Sequence, residues 1–524
     1  VTPNKNKMER QNLTTLARDG AKKSLWQSEI QRLDANEVAS GQPFDAIIIG
    51  GGITGVTAAL NLCREGKKCL LIEAENLGFG TTGGTSAHLN TFLDATYPEI
   101  DSDFGKHASK QMAEAAKKVI QDIKGNIETL GIEADFEYKD AYLFSQTQQE
   151  SEQLQAILTS SREAGVTVSE VFDNGVPIAF ERVLKFSNQA QFHPTRYIHG
   201  LAKEFLRLGG RILENTFVRE TAFINGIHEL KTHSGTFTGR YIIWATHIPP
   251  GINILSLRNA PYRSYVLAVK LKNNSYPESL CYDMQEPYHY IRSHKIKEQQ
   301  YLIVGGEDHK TGHADPENAF SELEKYVREH FEAESIDYQW SSQYYVPVDG
   351  LPYIGQLPGS EKGIYVATGF NGNGMILGTL SANILTDIIC ENPNSFTQLL
   401  SPSRLKPISG FSEFIKENAD VAYHFVADRF RAEAIRSIAE LQPAEGKIVN
   451  FEGEKLAVYK DEKGKVTALS PVCTHAGCII QWNAYEGSWD CPCHGGRFSV
   501  RGKVLCGPPV KDLQKIDIES LSDT

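Results

Sequence analysis

Apolar positions along this chain cluster in short runs near its start and alternate with polar ones further on. Phe44-Asp45-Ala46-Ile47-Ile48-Ile49, apolar but for Asp45, is a short pattern that predicts a buried strand, and Lys67 to Ile72 predicts a second. Between them Val56 to Arg64 reads as a helix, and Ala108 to Leu130 as a longer one. Strand patterns return at Tyr262 to Leu271 and Tyr288 to Arg292. Residues 411–437 predict a connecting helix, and Lys447–Asn450 with Leu456–Tyr459 predict a hairpin. Residues 1–43 are polar and weakly patterned, a helical or irregular lead-in that Trp26 would anchor on the main body. There is no internal repeat, and no stretch approaches the run of about 18 apolar residues that a membrane helix needs.

The first strand runs into Gly50-Gly51-Gly52-Ile53-Thr54-Gly55, a G-x-G-x-x-G turn opening a helix. The second strand ends in Glu73, 18 residues past Gly55. Glycines permit the tight turn and a close approach to a pyrophosphate, and the helix N-terminus favours its charge. The acid stands where a ribose hydroxyl needs an acceptor. Strand, turn, helix, strand and acid together point to a bound dinucleotide, and spacing alone leaves FAD and NAD both open.

At 524 residues the chain suits two or three domains, and 41% hydrophobic with 23% charged residues is ordinary for a globular protein. A net charge of −12 argues against nucleic acid or anionic membrane surfaces as main partners. The N-terminus lacks a basic-then-apolar export pattern. A cytoplasmic location is expected, with a signal removed upstream of Val1 left open and Met8 as an alternative start. Of nine cysteines, Cys473, Cys478, Cys491, Cys493 and Cys506 crowd the C-terminal end; Cys63, Cys69, Cys281 and Cys390 read as core residues.

That crowding carries the second chemistry. Cys473-Thr474-His475 and, after a gap of 15 residues, Cys491-Pro492-Cys493-His494 offer one thiolate and one imidazole per loop. A [2Fe–2S] centre with two Cys on one iron and two His on the other needs such a set. A structural zinc site is the alternative, although zinc modules group Cys-x-x-Cys and His-x₃₋₅-His. Cys478 and Cys493 sit at matching places in the two loops, where they could bridge them. Gly507-Pro508-Pro509 could form a stiff cover. The segment resembles the Rieske proteins of the cytochrome bc₁ and b₆f type, which carry that disulfide and that proline segment. Where high-potential members have Ser and Tyr donating to sulfur, this chain has Gly496 and Phe498. Fewer donors leave the cluster's charge less stabilised, so a potential below the top of the Rieske range of roughly −150 to +300 mV is expected.

Further motifs favour FAD. Gly80-Thr81-Thr82-Gly83-Gly84-Thr85-Ser86-Ala87-His88 follows the acid; Gly209 to Val218 and Ile242-Ile243-Trp244-Ala245-Thr246 come next; Val348-Asp349-Gly350-Leu351-Pro352-Tyr353-Ile354-Gly355 precedes Val366-Ala367-Thr368-Gly369-Phe370-Asn371-Gly372-Asn373-Gly374-Met375. In this order they resemble the D-amino acid oxidase, glycine oxidase and sarcosine oxidase superfamily of FAD enzymes, over roughly residues 44–400. The whole is similar to bacterial FAD-dependent oxidoreductases that end in a Rieske domain. The resemblance implies an α/β Rossmann-like FAD-binding domain of the glutathione reductase type, with an inserted α+β substrate domain and a small all-β Rieske domain. Expected pieces are 44–100, 190–260 and 340–410 for FAD, 101–189 and 261–339 for substrate, and 438–524 for the cluster. Implied FAD contacts are Gly50, Gly52, Ile53, Thr54, Gly55, Glu73, Ala74, Thr81, Thr82, Thr85, Ser86, Val218, Gly369, Asn371, Gly374 and Met375. No Cys precedes Asp349, where the sarcosine-oxidase branch attaches its flavin, so non-covalent FAD is expected. That branch's His and Lys near the flavin are replaced by Asn373 and Ile376. Catalytic candidates are His88, Arg263, Tyr290, Arg292 and Asn373, with Tyr265, Tyr288 and His289 beside them. An Arg could hold a carboxylate in a bidentate pair, while the plain alternative for each is a structural salt bridge.

A flavin accepts a hydride and a [2Fe–2S] centre one electron, so the pairing suits a dehydrogenase for a small amine or amino acid whose electrons leave singly. The external partner would be a ferredoxin, a cytochrome or a quinone. Two alternatives stay open: a reductase or monooxygenase-type system running electrons from cluster to flavin, and a non-catalytic redox module.

Overall fold

Strand Pro43–Ile49 lies inside a parallel sheet, flanked by Gly235–Trp244 on one side and Cys69–Ile72 on the other. The sheet continues through Ile364–Thr368 and the antiparallel Tyr353–Gln356 at one end and Arg211–Leu213 at the other. A hairpin of Glu220–Ile224 and Ile227–Thr232 extends Gly235–Trp244. Both faces are covered over Ala46 to Ile49, which is why those four residues read as an unbroken apolar run. Helices Ile53–Arg64 and Gly374–Ile389 pack against each other, and a Cβ at Gly378 would stand 2.7 Å from Thr54 Oγ1.

The computed structural model describes residues 43–404 and 441–517, apart from Ala314 and Glu452, with residues 22–28, Glu433–Ala434 and positions 20, 33, 38 and 41. The helix expected over 411–437 lies outside the described residues except at Glu433–Ala434. That pair is a short strand beside Val449 and Asn450, so the cluster domain's sheet starts ahead of the expected Ile438.

A second sheet of nine strands stands over the first. Its order is Ala333–Pro347, Asn259–Leu271, Gln299–Lys310, Tyr290–Ile296, Leu280–Asp283, Glu137–Ser145, Arg182–Gln191 and His88–Leu89, with Val168–Val171 beside Arg182–Gln191. It runs to Pro347, so the boundary expected at 340 cuts its edge strand. It also takes in His88–Leu89, from a piece expected to belong wholly to the FAD domain. The C-terminal domain is two four-stranded sheets, the second made of Gln481–Asn483, Ser488–Asp490, Arg497–Ser499 and Val504–Cys506.

The lead-in does more than anchor itself. Trp26 is fully buried, its Nε1–H donates to Thr85 O at 2.5 Å, and Thr195 Oγ1 donates to Trp26 O at 2.6 Å. Gln27 Nε2 donates to Gly78 O at 2.9 Å and Ser24 Oγ to Gly83 O at 2.5 Å. This turn therefore fastens the small-residue loop of residues 78–87 from behind. Trp26→Ala should lower stability by about 3–5 kcal/mol, read as a fall in the denaturant midpoint.

Candidate active site and metal centre

One elongated cavity of about 780 Å³ runs from the C-terminal edge of the parallel sheet to the underside of the nine-stranded sheet. Gly50, Gly52, Ile53, Thr54, Glu73, Ala74, Thr81, Thr82, Thr85, Ser86, Val218, Asn371, Gly374 and Met375 all line it. Gly50 has φ +110°, and a Cβ there would lie 2.4 Å from Ala245 O, so only glycine makes this turn. Glu73 Oε2 accepts from Gly51 N at 2.6 Å and Oε1 from Glu75 N at 3.0 Å. Burial nevertheless pushes its carboxyl up to about 7 against those two N–H groups. A ribose hydroxyl would add a further donor to this acid. Thr82 Oγ1 accepts from Ile53 N at 3.0 Å, tying the second loop to the helix N-terminus. The glycine turn, the helix N-terminus and the acid fit a dinucleotide.

Two of the expected contacts stand back from the cavity. At Gly55 a Cβ would lie 1.9 Å from Gly50 O, so this glycine lets helix meet strand. Gly369, at φ +77°, packs against Asn259 and Pro347.

The other end of the cavity is aromatic and acidic. Phe92, Tyr282, Tyr288, Tyr290, Tyr344 and Phe370 line it, with His88, Asp94, Ser264, Asp308 and Asn373. His88 Nδ1 pairs with Ser86 Oγ at 2.8 Å, and its ring lies 5.3 Å from that of Tyr282 and 5.7 Å from that of Tyr290. Burial, then the charge of Arg292, holds it well below the usual imidazole range, so it is neutral. Asn373 Oδ1 accepts from Asp94 N at 2.7 Å, and Asp94 Oδ2 from Gly372 N at 2.6 Å. Tyr344 donates to Asp308 Oδ2 at 2.8 Å, while Asp308 Oδ1 has no hydrogen-bond partner. Burial raises this carboxyl to about 7, opposed by Ser264 and Tyr344.

Arg263 and Arg292, the cations expected to hold a substrate carboxylate, are not in the cavity wall. Arg292 is buried behind it, donating through Nη1 to the carbonyls of Ser86 and Ala87, both at 2.9 Å, and through Nη2 to His294 Nδ1 at 2.7 Å. Arg263 points the other way, to Ser341 Oγ at 2.5 Å and Glu486 Oε1 at 3.7 Å. Tyr265 pairs with His309 Nε2 at 3.1 Å and packs on Phe320. His289 stacks on Tyr326 between Asp283 (2.8 Å) and Glu307 (3.4 Å); burial opposes its proton, but the two acids win and lift it to about 9. Sequence reasoning missed Asp94, Tyr282, Asp308 and Tyr344. The Gly305-Gly306 pair before Asp308 was the available signal, since glycine inside a strand marks a close approach: a Cβ at Gly305 would lie 2.1 Å from the Tyr290 ring.

In the C-terminal domain Cys473, Cys491 and His494 are buried and His475 is partly so. The two imidazoles lie 4.8 Å apart at 83°. His475 Nε2–H donates to Gly251 O at 3.2 Å, which leaves its Nδ1 bare; His494 Nδ1 is likewise without a partner. Cys478 and Cys493 form a disulfide across the loops, while Cys473 and Cys491 are unbridged. Two free thiols and two unpartnered ring nitrogens at one place fit the two-iron cluster. Gly496 faces Pro509, where a Cβ would come within 2.6 Å, and Phe498 is fully buried against the cysteines.

The two sites adjoin. Leu505, Cys506, Gly507, Pro509 and Val510 of the cluster domain close part of the dinucleotide cavity. Gln343 Nε2 donates to Gly495 O at 2.9 Å, Tyr345 OH to His494 O at 3.3 Å, and Gly251 N to Pro508 O at 3.1 Å.

The family described as FAD dependent oxidoreductase (DAO) matches residues 45–388, and the Rieske [2Fe-2S] domain matches residues 433–517. YhfW of Bacillus subtilis (strain 168), named as a Rieske 2Fe-2S iron-sulfur protein, is 32% identical over 478 residues, covering 91% of this chain and 94% of its own. The gamma-glutamylputrescine oxidoreductase of Escherichia coli (strain K12) is 21% identical over 368 residues, 67% of this chain and 85% of its own. In fold, glycine oxidase from Geobacillus kaustophilus superposes with a TM-score of 0.59 at 18% identity, over 70% of this chain and all of that one. No helix among the described residues is long and apolar enough to cross a membrane.

Two outcomes follow. Glu73→Ala should weaken FAD retention roughly 10–100-fold, the worth of a charge-assisted hydrogen bond, measured as flavin lost on gel filtration. Phe498→Tyr, which supplies one donor beside the cysteines, should raise the cluster's potential by about 20–60 mV, read by potentiometric titration.

Proposed function

Because the chain belongs to the DAO family of FAD-dependent oxidoreductases and carries a Rieske [2Fe–2S] domain, we propose that it is a dehydrogenase for a small amine or amino acid whose electrons leave singly through the cluster to an external acceptor. The observation that carries this reading is the shared wall: the segment Leu505 to Val510 belongs to the cluster domain and lines the dinucleotide cavity. Held without a covalent link, FAD would supply a hydride acceptor for the carbon beside nitrogen, and the [2Fe–2S] centre would supply a one-electron outlet.

The chain's own residues have three tasks. Gly50 to Thr54, Glu73 and the Thr81–Ser86 loop hold the dinucleotide. Cys473 and Cys491 would hold one iron, His475 and His494 the other. The aromatic end of the cavity receives the substrate and keeps water from the reacting carbon. Neutral His88 stands at this end, and its Nε2, buried without a partner, can accept a hydrogen bond from the amine. The acceptor is a ferredoxin, a cytochrome or a quinone, and the chain works in the cytoplasm.

Anaerobic addition of an amine and amino-acid panel to the loaded protein is the test. The expected result is bleaching of flavin absorbance followed by the reduced-cluster electron paramagnetic resonance signal. Reduction by dithionite or reduced ferredoxin alone, with every amine and amino acid inert, overturns the reading.

A further inference from the structure

The substrate end of the cavity has a one-sided charge. Asp94 and Asp308 line it, and among the described residues in its wall there is no Lys or Arg. The two nearby guanidinium groups are occupied elsewhere: Arg292 holds the carbonyls of Ser86 and Ala87, and Arg263 holds Ser341 and Glu486. A carboxylate brought into this space would meet two acids and no countercharge, which disfavours an unpaired anion there.

A cation would meet the opposite. Asp94 is engaged by the N–H groups of Gly372 and its neighbour Asn373, so its charge has donors already. Asp308 has one oxygen bonded by Tyr344 at 2.8 Å and the other, Oδ1, enclosed with no partner. Tyr288, Tyr290 and Tyr344 stand near enough to feel its charge, and all three line the cavity. Tyr288 and Tyr290 lie 5.9 Å apart, and the Tyr290 hydroxyl is 2.9 Å from Ser264 Oγ. Aromatic faces about an ammonium with one carboxylate is the arrangement that recognises amines in enclosed sites.

We propose that the substrate is a cationic amine lacking a carboxylate on the reacting carbon, with its ammonium held by Asp308 inside the tyrosine ring set. This inference rests on the dehydrogenase reading and narrows it from amines or amino acids to amines alone. It also gives pH a direction. Burial lifts the Asp308 carboxyl to about 7, with Ser264, Tyr344 and the charge of His289 pulling it down and Asp94 pushing it up. The flanking phenols of Tyr288, Tyr290 and Tyr344 are held above their usual range by burial and stay neutral. Below about pH 7 Asp308 loses its charge, so amine affinity falls as pH drops through that value.

The test uses matched pairs on the loaded protein under anaerobic conditions: pyrrolidine against proline, and N-methylpentylamine against N-methylnorleucine. Binding is read from flavin spectral shifts and turnover from bleaching. Each amine should bind at least tenfold tighter than its carboxylated partner, and Asp308→Asn should weaken amine binding roughly 10–100-fold with FAD content unchanged. Amine binding to the unaltered protein should weaken between pH 8 and pH 6. Amino acids that bind equally or better, or an Asp308→Asn protein that retains FAD and full amine affinity, overturn the inference while leaving the dehydrogenase reading intact. Amines that bind as expected without bleaching the flavin sustain the inference and break that reading. If none of the four binds, both fall.

Discussion

A single strand, Ala333–Pro347, joins the two halves of this protein by its alternation. Ser341, Gln343 and Tyr345 reach the cluster domain, meeting Glu486, Gly495 and His494 in turn. Ser342 and Tyr344, one step out of phase, line the cavity, which Gln343 also borders while its carbonyl accepts from Thr81 Oγ1 at 2.8 Å. A strand sends neighbouring side chains to opposite faces, so a register slip of one residue would exchange the two sets and dismantle both sites. Trp340 helps to fix that register, donating from Nε1 to Gly84 O at 2.7 Å.

The contacts made by this strand are buried, and burial raises what they cost to break. Arg263, Ser341 and Glu486 form a charged group shielded from water at the domain junction. Separating the domains would strand those charges, and breaking a buried pair costs about 3–5 kcal/mol. The exposed pairs at the rim, Arg219–Asp512 and Lys503–Glu75, contribute little beside it. The cluster loops are therefore seated on the body of the enzyme, and the imidazole of His475 is turned inward to Gly251.

What could be read from sequence follows the range of the forces involved. The glycine turn and the two Cys/His loops are local patterns whose chemistry needs only neighbours, and they were legible together with the fold class. Arg263 and Arg292 were not. The destination of a side chain on a strand depends on pairing partners far away, and the register beside Gln299–Lys310 shifts between Arg263 and Tyr265. Asp308 carried no motif; its surroundings come from Tyr290 and Tyr344, delivered by two other strands. That no Lys or Arg among the described residues lines the cavity is likewise a property of the assembled wall, invisible in a chain that contains 53 Lys and Arg.

The turn around Trp26 imposes an order in time. Its ring is enclosed by His193 at 5.1 Å and His294 at 4.9 Å, and Thr195, 169 positions downstream, bonds its carbonyl. At ribosomal rates of about 5–20 residues per second, those partners emerge roughly 10–30 s or more after Trp26. This turn thus cannot complete its seat until residues 193–195 and 294 have been made, long after the loop of residues 78–87 that it fastens.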